Sequence, residues 1–253
     1  SNNWKQARLP VIHARPLLEV LYCFANQEKT LGSISESIYT TEMWHETNSQ
    51  NDRIIVRNVH FPESTLDLIY SGPHIGVANP LFKTSRRICR LNSDYDNICL
   101  SSIGDDYLQR CNYSPACSID EYIRYIPTTP WDRKYNAEYR VLGRKMLNLS
   151  GERTLIPAVA PLKTGHINGI FGIAFKERNM ALNIACLWAS IPYDFIIKVL
   201  GKANLQFDSV QHLPILENSH CHSAYVIRGL LLNCLTSHYS ELWESSFDSE
   251  YKN

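Results

Sequence analysis

Apolar residues recur at three-to-four spacing just after Pro16, in Leu17, Leu18, Val20, Leu21 and Phe24. That spacing predicts a helix starting near Arg15 with the proline in its first turn. Residues 46–52 are wholly polar and read as a loop, and the run Ile54, Ile55, Val56 after them reads as a strand. Turns are expected at Ser71-Gly72-Pro73 and Asn79-Pro80, and Pro127 and Pro130 break the helical pattern before them. From Tyr139 the texture changes. Three apolar runs, 139–149, 154–160 and 167–175, are each bounded by Gly, Pro or charge, as antiparallel strands are. Residues 177–200 place Ala181, Ile184, Ala185 and Trp188 on one side of a helix interrupted at Ile191-Pro192. Residues 201–204 read as a loop, and Asp208-Ser209-Val210 as a helical turn stopped by Pro214. Tyr225, Leu230, Leu231, Leu235 and Tyr239 predict a terminal helix over 222–243. The order of elements implies an α+β fold: a twisted, largely antiparallel sheet with flanking helices and a helical C-terminal segment.

The chain has 253 residues, 44% hydrophobic and 20% charged, enough for one large core or two small ones. Eight cysteines occur without a Cys-x-x-Cys pair, a usage that suits reduced, buried thiols rather than a disulfide scaffold. No apolar run approaches the ~20 residues that span a bilayer. The opening Ser1-Asn2-Asn3-Trp4 lacks a signal-peptide layout, so a cytoplasmic location and no membrane partner are expected. Lys plus Arg equals Asp plus Glu at 25 each, which excludes a uniformly basic nucleic-acid coat. The zero total hides a gradient. Between Asp67 and Asp94 the only charges are Lys83, Arg86, Arg87 and Arg90, and residues 133–178 hold nine cations against three acids. From Glu217 onward five acids face two bases, so one side of the molecule is expected to suit a polyanion.

No catalytic motif stands out. Ser71-Gly72-Pro73-His74-Ile75-Gly76 has a proline where a nucleotide-binding turn needs an amide, and there is no Gly-x-Ser-x-Gly elbow. Asn79-Pro80-Leu81-Phe82 is like the Asn-Pro-Pro-Tyr box of amino-methyltransferases but has leucine for the second proline, and it reads as a turn. His220, His222, Cys234 and His238 offer zinc-type ligands without a paired-cysteine spacing; no metal site is expected there, and a small zinc enzyme is a minor alternative.

Residues 61–74 (Phe61-Pro62-Glu63-Ser64-Thr65-Leu66-Asp67-Leu68-Ile69-Tyr70-Ser71-Gly72-Pro73-His74) resemble the C-terminal part of bacterial restriction–modification methylases. The resemblance continues through 77–84 and 105–113, through Glu152-Arg153-Thr154-Leu155-Ile156-Pro157-Ala158, through 187–214, and faintly over 231–243. These are large adenine-specific DNA methyltransferases, some fused to an endonuclease in the type IIG arrangement. The part resembled is the target-recognition domain, related in fold to type I specificity subunits. The resemblance implies residues 1–60 as a helical and linker segment packed on the domain, 61–216 as the target-recognition domain and 217–253 as a C-terminal helical segment. It implies sequence-specific recognition of double-stranded DNA by a non-catalytic piece of a longer chain. S-adenosylmethionine would be held by the methyltransferase domain of that parent chain, which is also the expected protein partner; no cofactor is expected here. Base reading needs Arg, Lys, Asn and Gln on loops, with cations for phosphates. The candidate contacts are Lys83, Arg86 and Arg87; Arg153; Lys163, Thr164, His166 and Asn168; and Lys202, Asn204 and Gln206. The alternative from another class is a docking domain of a defence complex.

Overall fold

The computed structural model of the chain describes residues 12, 14–77, 81–216 and 222–248. In chain order its elements are α1 (Arg15–Ala25), β1 (Ile38–Thr41), α2 (Glu46–Asn51), β2 (Ile55–Val56), β3 (Ile69–Tyr70), β4 (Lys83–Ser85), β5 (Tyr95–Asn97), β6 (Ser114–Pro115) and α3 (Ile119–Tyr125). They continue with β7 (Arg140–Arg144), β8 (Pro157–Ala160), β9 (Gly165–His166), β10 (Ile170–Phe175), α4 (Arg178–Trp188), α5 (Ile191–Leu200), α6 (Phe207–Val210), α7 (His222–Asn233) and α8 (Ser240–Ser246). Short 3-10 turns lie between several of these.

The three apolar runs after Tyr139 form β7, β8 and β10, which pair antiparallel in a sheet of order β1-β10-β7-β8. In register, Val141 lies opposite both Ile173 and Val159, while Leu142 lies opposite Gly172 and Ala158. The pleat sends these two sets to opposite faces. Val141, Val159, Ile173 and Phe175 pack against Ala181, Ile184, Ala185 and Trp188 of α4, with Val226 and Leu230 of α7 and Leu242 of α8. Leu142, Ala158, Ala160 and Ile170 pack on the other side with Leu68, Tyr70, Ile75 and Leu81. A sheet covered on both faces needs apolar residues on both, which is why these strands read as continuous runs rather than alternations. The fold is therefore α+β with an antiparallel central sheet, and β1 brings a strand from residues before 61 into it.

The interrupted helix is α4 and α5, bent by 75° where Pro192 enters the first turn of α5. Among the described residues no single helix is long and apolar enough to cross a membrane. Three local expectations change. Within residues 46–52, Glu46–Asn51 form a helix, α2, because His45 accepts from the Asn48 amide and Asn168 Oδ1 accepts from the Glu46 amide, satisfying two donors of its first turn. The expected terminal helix stops at Asn233, whose side chain donates back to the Gly229 carbonyl and accepts from the Val159 amide, both at 2.9 Å, and α8 resumes after a 3-10 turn. The run 154–160 begins its strand only at Pro157, because the Asp194 carboxylate takes the Thr154 and Leu155 amides.

The layer facing away from α4 is built in short pairs: β2 with β6, β4 with β5, and β3 with β9. The last pair is parallel, Ile69 opposite Gly165 and Tyr70 opposite His166. A cluster of Trp44, Tyr113, Tyr122 and Tyr135 with Ile54, Ile55 and Ile69 fills the space behind it.

Candidate functional site

Where two parallel strands end side by side, the chain leaves both in the same direction and a crevice opens beyond them. Beyond β3 run Ser71, Gly72 and Pro73; beyond β9 run Ile167, Asn168 and Gly169. These two turns and the end of β7 line a cleft of about 460 Å³. Its remaining walls include Tyr95, Asn112, Tyr113 and Asn204, and the cations Arg57, Arg90, Arg144 and Lys145.

A buried hydrogen-bond network sets the floor. Ser71 Oγ lies 2.7 Å from Tyr95 Oη and donates to Asn112 Oδ1, which also accepts from Tyr95 Oη at 2.8 Å. The Ser71 amide donates to His74 Nδ1 at 3.0 Å, so that nitrogen is an acceptor and Nε2 faces the Arg110 carbonyl as donor. Burial holds His74 neutral, with its pKa pushed down to about 4.

The cations differ in what holds them. Arg57 Nη2 donates to the Cys89 and Arg90 carbonyls at 3.2 and 3.3 Å. Lys145 is paired with Glu42. Neither Arg90 nor Arg144 forms an ion pair among the described residues. Glu46 is the acid of the lining, and its carboxylate accepts from the Tyr113 hydroxyl. Asn168 gives Oδ1 to the Glu46 amide at 3.0 Å, which fixes its orientation and leaves its NH2 to donate elsewhere. The cleft is thus a cationic, amide-bearing surface over a rigid neutral floor.

The expected contacts divide sharply. Asn168 and Asn204 line the cleft. Lys202 sits in the loop before Asn204 but pairs with Asp208 at 2.7 Å, and Gln206 lines a smaller neighbouring cavity with Lys145 and Phe171. Lys83 and Arg86 belong to the β4–β5 hairpin; Arg86 is ion-paired with Asp96 at 2.8 Å, while Arg87 is exposed beside Phe61 and Arg110. Lys163 lies at the opposite end of β9 from Asn168, its backbone exchanging hydrogen bonds with Asn136, so these two do not share a face of the crevice.

Three expectations are corrected. Thr164 and His166 are wholly buried and reach no surface. Thr164 Oγ1 accepts from Arg140 at 2.8 Å, and His166 Nε2 meets Tyr135 Oη at 3.1 Å. The fully buried Arg140 has no acid partner among the described residues; it stacks over the Tyr135 ring and donates to the Glu138 and Pro161 carbonyls, and this polar cluster draws the 162–168 segment inward. Arg153 turns inward too, donating to the Ala189 carbonyl at 2.8 Å at the end of α4, 3.4 Å from Asp194. A guanidinium there serves the C-terminal end of the helix dipole rather than a phosphate.

Other chemistry is weaker. Cys111, His60 and Asp67 lie close together, with 2.9 Å between His60 Nε2 and Asp67 and the Cys111 sulfur 3.7 and 3.9 Å from the two ring nitrogens. Burial lifts the Cys111 thiol to about 12, so it is no thiolate nucleophile at neutral pH. Of the zinc-type residues, His222 meets Tyr225 Oη at 2.6 Å and His238 meets the Asp106 carbonyl, while His220 lies outside the described residues. Among the described residues no group of three His, Cys, Asp or Glu is placed to hold a metal. The Asn79-Pro80 turn also lies outside them.

No known protein family has a model that matches this chain, and no curated protein matches it.

Proposed function

We propose that the chain is a sequence-specific recognition module for double-stranded DNA, of the type carried by restriction–modification adenine methyltransferases. The observation that carries this reading is the cleft, where Arg90 and Arg144, neither ion-paired among the described residues, stand beside the amides of Asn168 and Asn204. Guanidinium groups on phosphates fix register, while the free NH2 of Asn168, whose Oδ1 is held by the Glu46 amide, and the side-chain amide of Asn204 are placed to read base edges. The likeness to target-recognition domains over residues 61–243 supports the same reading and extends it to a fold like that of type I specificity subunits. On this reading the chain itself moves no methyl group. It holds a duplex so that a target adenine meets a methyltransferase domain of the same parent chain, which supplies S-adenosylmethionine.

Fluorescence anisotropy with labelled duplex over a salt series tests this. If the four cleft cations each meet a phosphate, the slope of log K against log salt is about −3.6. Arg144→Ala is expected to weaken binding and reduce the slope by about 0.9 with an unchanged melting temperature. Asn168→Asp, which keeps an oxygen acceptor for the Glu46 amide and removes the NH2 donor, is expected to relax the preference among duplexes recovered from a randomised pool. Absence of binding at low salt, or Arg90→Ala and Arg144→Ala variants indistinguishable from the parent, would overturn the reading and favour a docking domain.

A further inference from the structure

We propose that the loop of the β4–β5 hairpin is a DNA wedge, which presses Leu91 and Ile88 into the base stack while the adjoining cleft grips the backbone. The inference rests on the DNA reading above and goes beyond it by assigning a deformation of the duplex to particular side chains.

Ile88 is 70% exposed and Leu91 67%, three residues apart on one loop. Single exposed apolar residues are ordinary, but these two are held out by a backbone that has little freedom to fold them back. The Arg86 amide donates to the Asp94 carbonyl at 2.9 Å, closing the loop. Asp94 Oδ2 accepts from the Arg90 and Leu91 amides at 2.9 and 2.8 Å, fixing the backbone at the apolar residue itself. Cys89 between them is buried, and Arg57 clamps the carbonyls of Cys89 and Arg90 from outside the hairpin. A pinned loop that points two aliphatic side chains into water forgoes burial that a relaxed loop would recover.

The surroundings name the partner. Arg90 and Leu91 both line the cleft, so one apolar side chain stands at the edge of the cationic surface. Arg87, from the same loop, lines a second hollow with Arg110 and Phe61, whose ring lies 4.5 Å under the Arg110 guanidinium. An aliphatic tip on a loop whose Arg90 and Arg87 line two guanidinium-bearing hollows fits a strand-flanked apolar target, the interior of a stacked duplex, where Ile and Leu wedges unstack a step while cations hold nearby phosphates. An anionic membrane also offers apolar interior beneath negative charge, but the amides of Asn92, Asn168 and Asn204 in the same cleft match base edges and have no counterpart in acyl chains.

The test uses a duplex recovered by the chain from a randomised pool, with each adenine replaced in turn by 2-aminopurine, whose fluorescence rises on unstacking. At saturating protein one position is expected to brighten several-fold. Leu91→Ser and Ile88→Ser are expected to keep the salt slope and the melting temperature of the parent and to lose that rise. Arg144→Ala is expected to need more protein but to reach the same brightness. Salt-dependent binding with no bright position, or a Leu91→Ser and Ile88→Ser double variant as bright as the parent, removes the wedge and leaves the recognition reading standing. Failure to bind any duplex removes both. Binding to vesicles of anionic phospholipid without a fluorescence change on the duplex assigns the tip to a membrane instead and also overturns the proposal.

Discussion

At the scale of single residues, the molecule carries its polar chemistry inside as well as on the cleft. His74 and His166 are both wholly buried and neutral, with pKa values pushed down to about 4 and about 3, by burial first and for His166 also by the charge of Arg140. Both protonate near 6.5 once unfolded, so between that value and their folded values the unfolded chain binds more protons. Their contribution to stability is complete above about pH 6.5 and is lost progressively as the pH falls toward 4, because over that window only the unfolded chain takes up the two protons. Urea midpoints are therefore expected to drop steeply from pH 7 to pH 4.5. His74→Asn keeps an acceptor for the Ser71 amide and removes one titration, so its midpoint should fall less over that range. An equal fall in parent and variant would show that His74 does not couple folding to protons.

At the scale of elements, what was legible in the sequence followed from local periodicity. β7, β8 and β10 were readable because Gly, Pro and charge bound each apolar run, and the α4–α5 break because Pro192 marks it. The parallel pair β3–β9 was not readable, since two residues on each side carry no pattern and the pairing joins segments nearly a hundred residues apart. α2 was hidden for a different reason: Glu46–Asn51 has no apolar stripe and depends on a cap from Asn168. The candidate site suffered accordingly. Lys163, Thr164 and His166 have the composition of a base-reading loop, but the buried Arg140 draws that segment inward. Arg144 reaches the cleft from a strand end, where the basic stretch over 133–178 gave it no loop signal to set it apart. Arg57 had no sequence signal at all. Packing between elements is testable where α7 crosses α4. A methyl at Gly229 would overlap Cys186 Sγ, so Gly229→Ala is expected to destabilise by about 1–3 kcal/mol. Cys186→Ala in the same chain should recover part of that loss, and strict additivity in a double-mutant cycle would refute the contact.

At the scale of the whole molecule, a formal charge of zero coexists with a cleft that bears three arginines and a lysine against one lining acid. Arginine does not titrate in the working range, whereas the chain as a whole turns negative above its isoelectric point near 7.1. Retention on heparin is therefore expected at pH 8 despite the net negative charge, with the Arg90→Ala, Arg144→Ala double variant eluting at lower salt; loss of retention above pH 7 would mean that total charge, not the cleft, governs binding. The cleft also draws its walls from stations as distant as Glu46, Arg57, Asn112, Lys145 and Asn204. Such a surface has no local nucleus: a chain that had assembled its sheet and helices but not the layer opposite would register as ordered by circular dichroism and yet show no grip on a polyanion. If the cleft retains the protein on heparin as proposed, that retention is a stricter gauge of correctly finished molecules than any spectroscopic measure of helix, and in refolding it should be the last property to return.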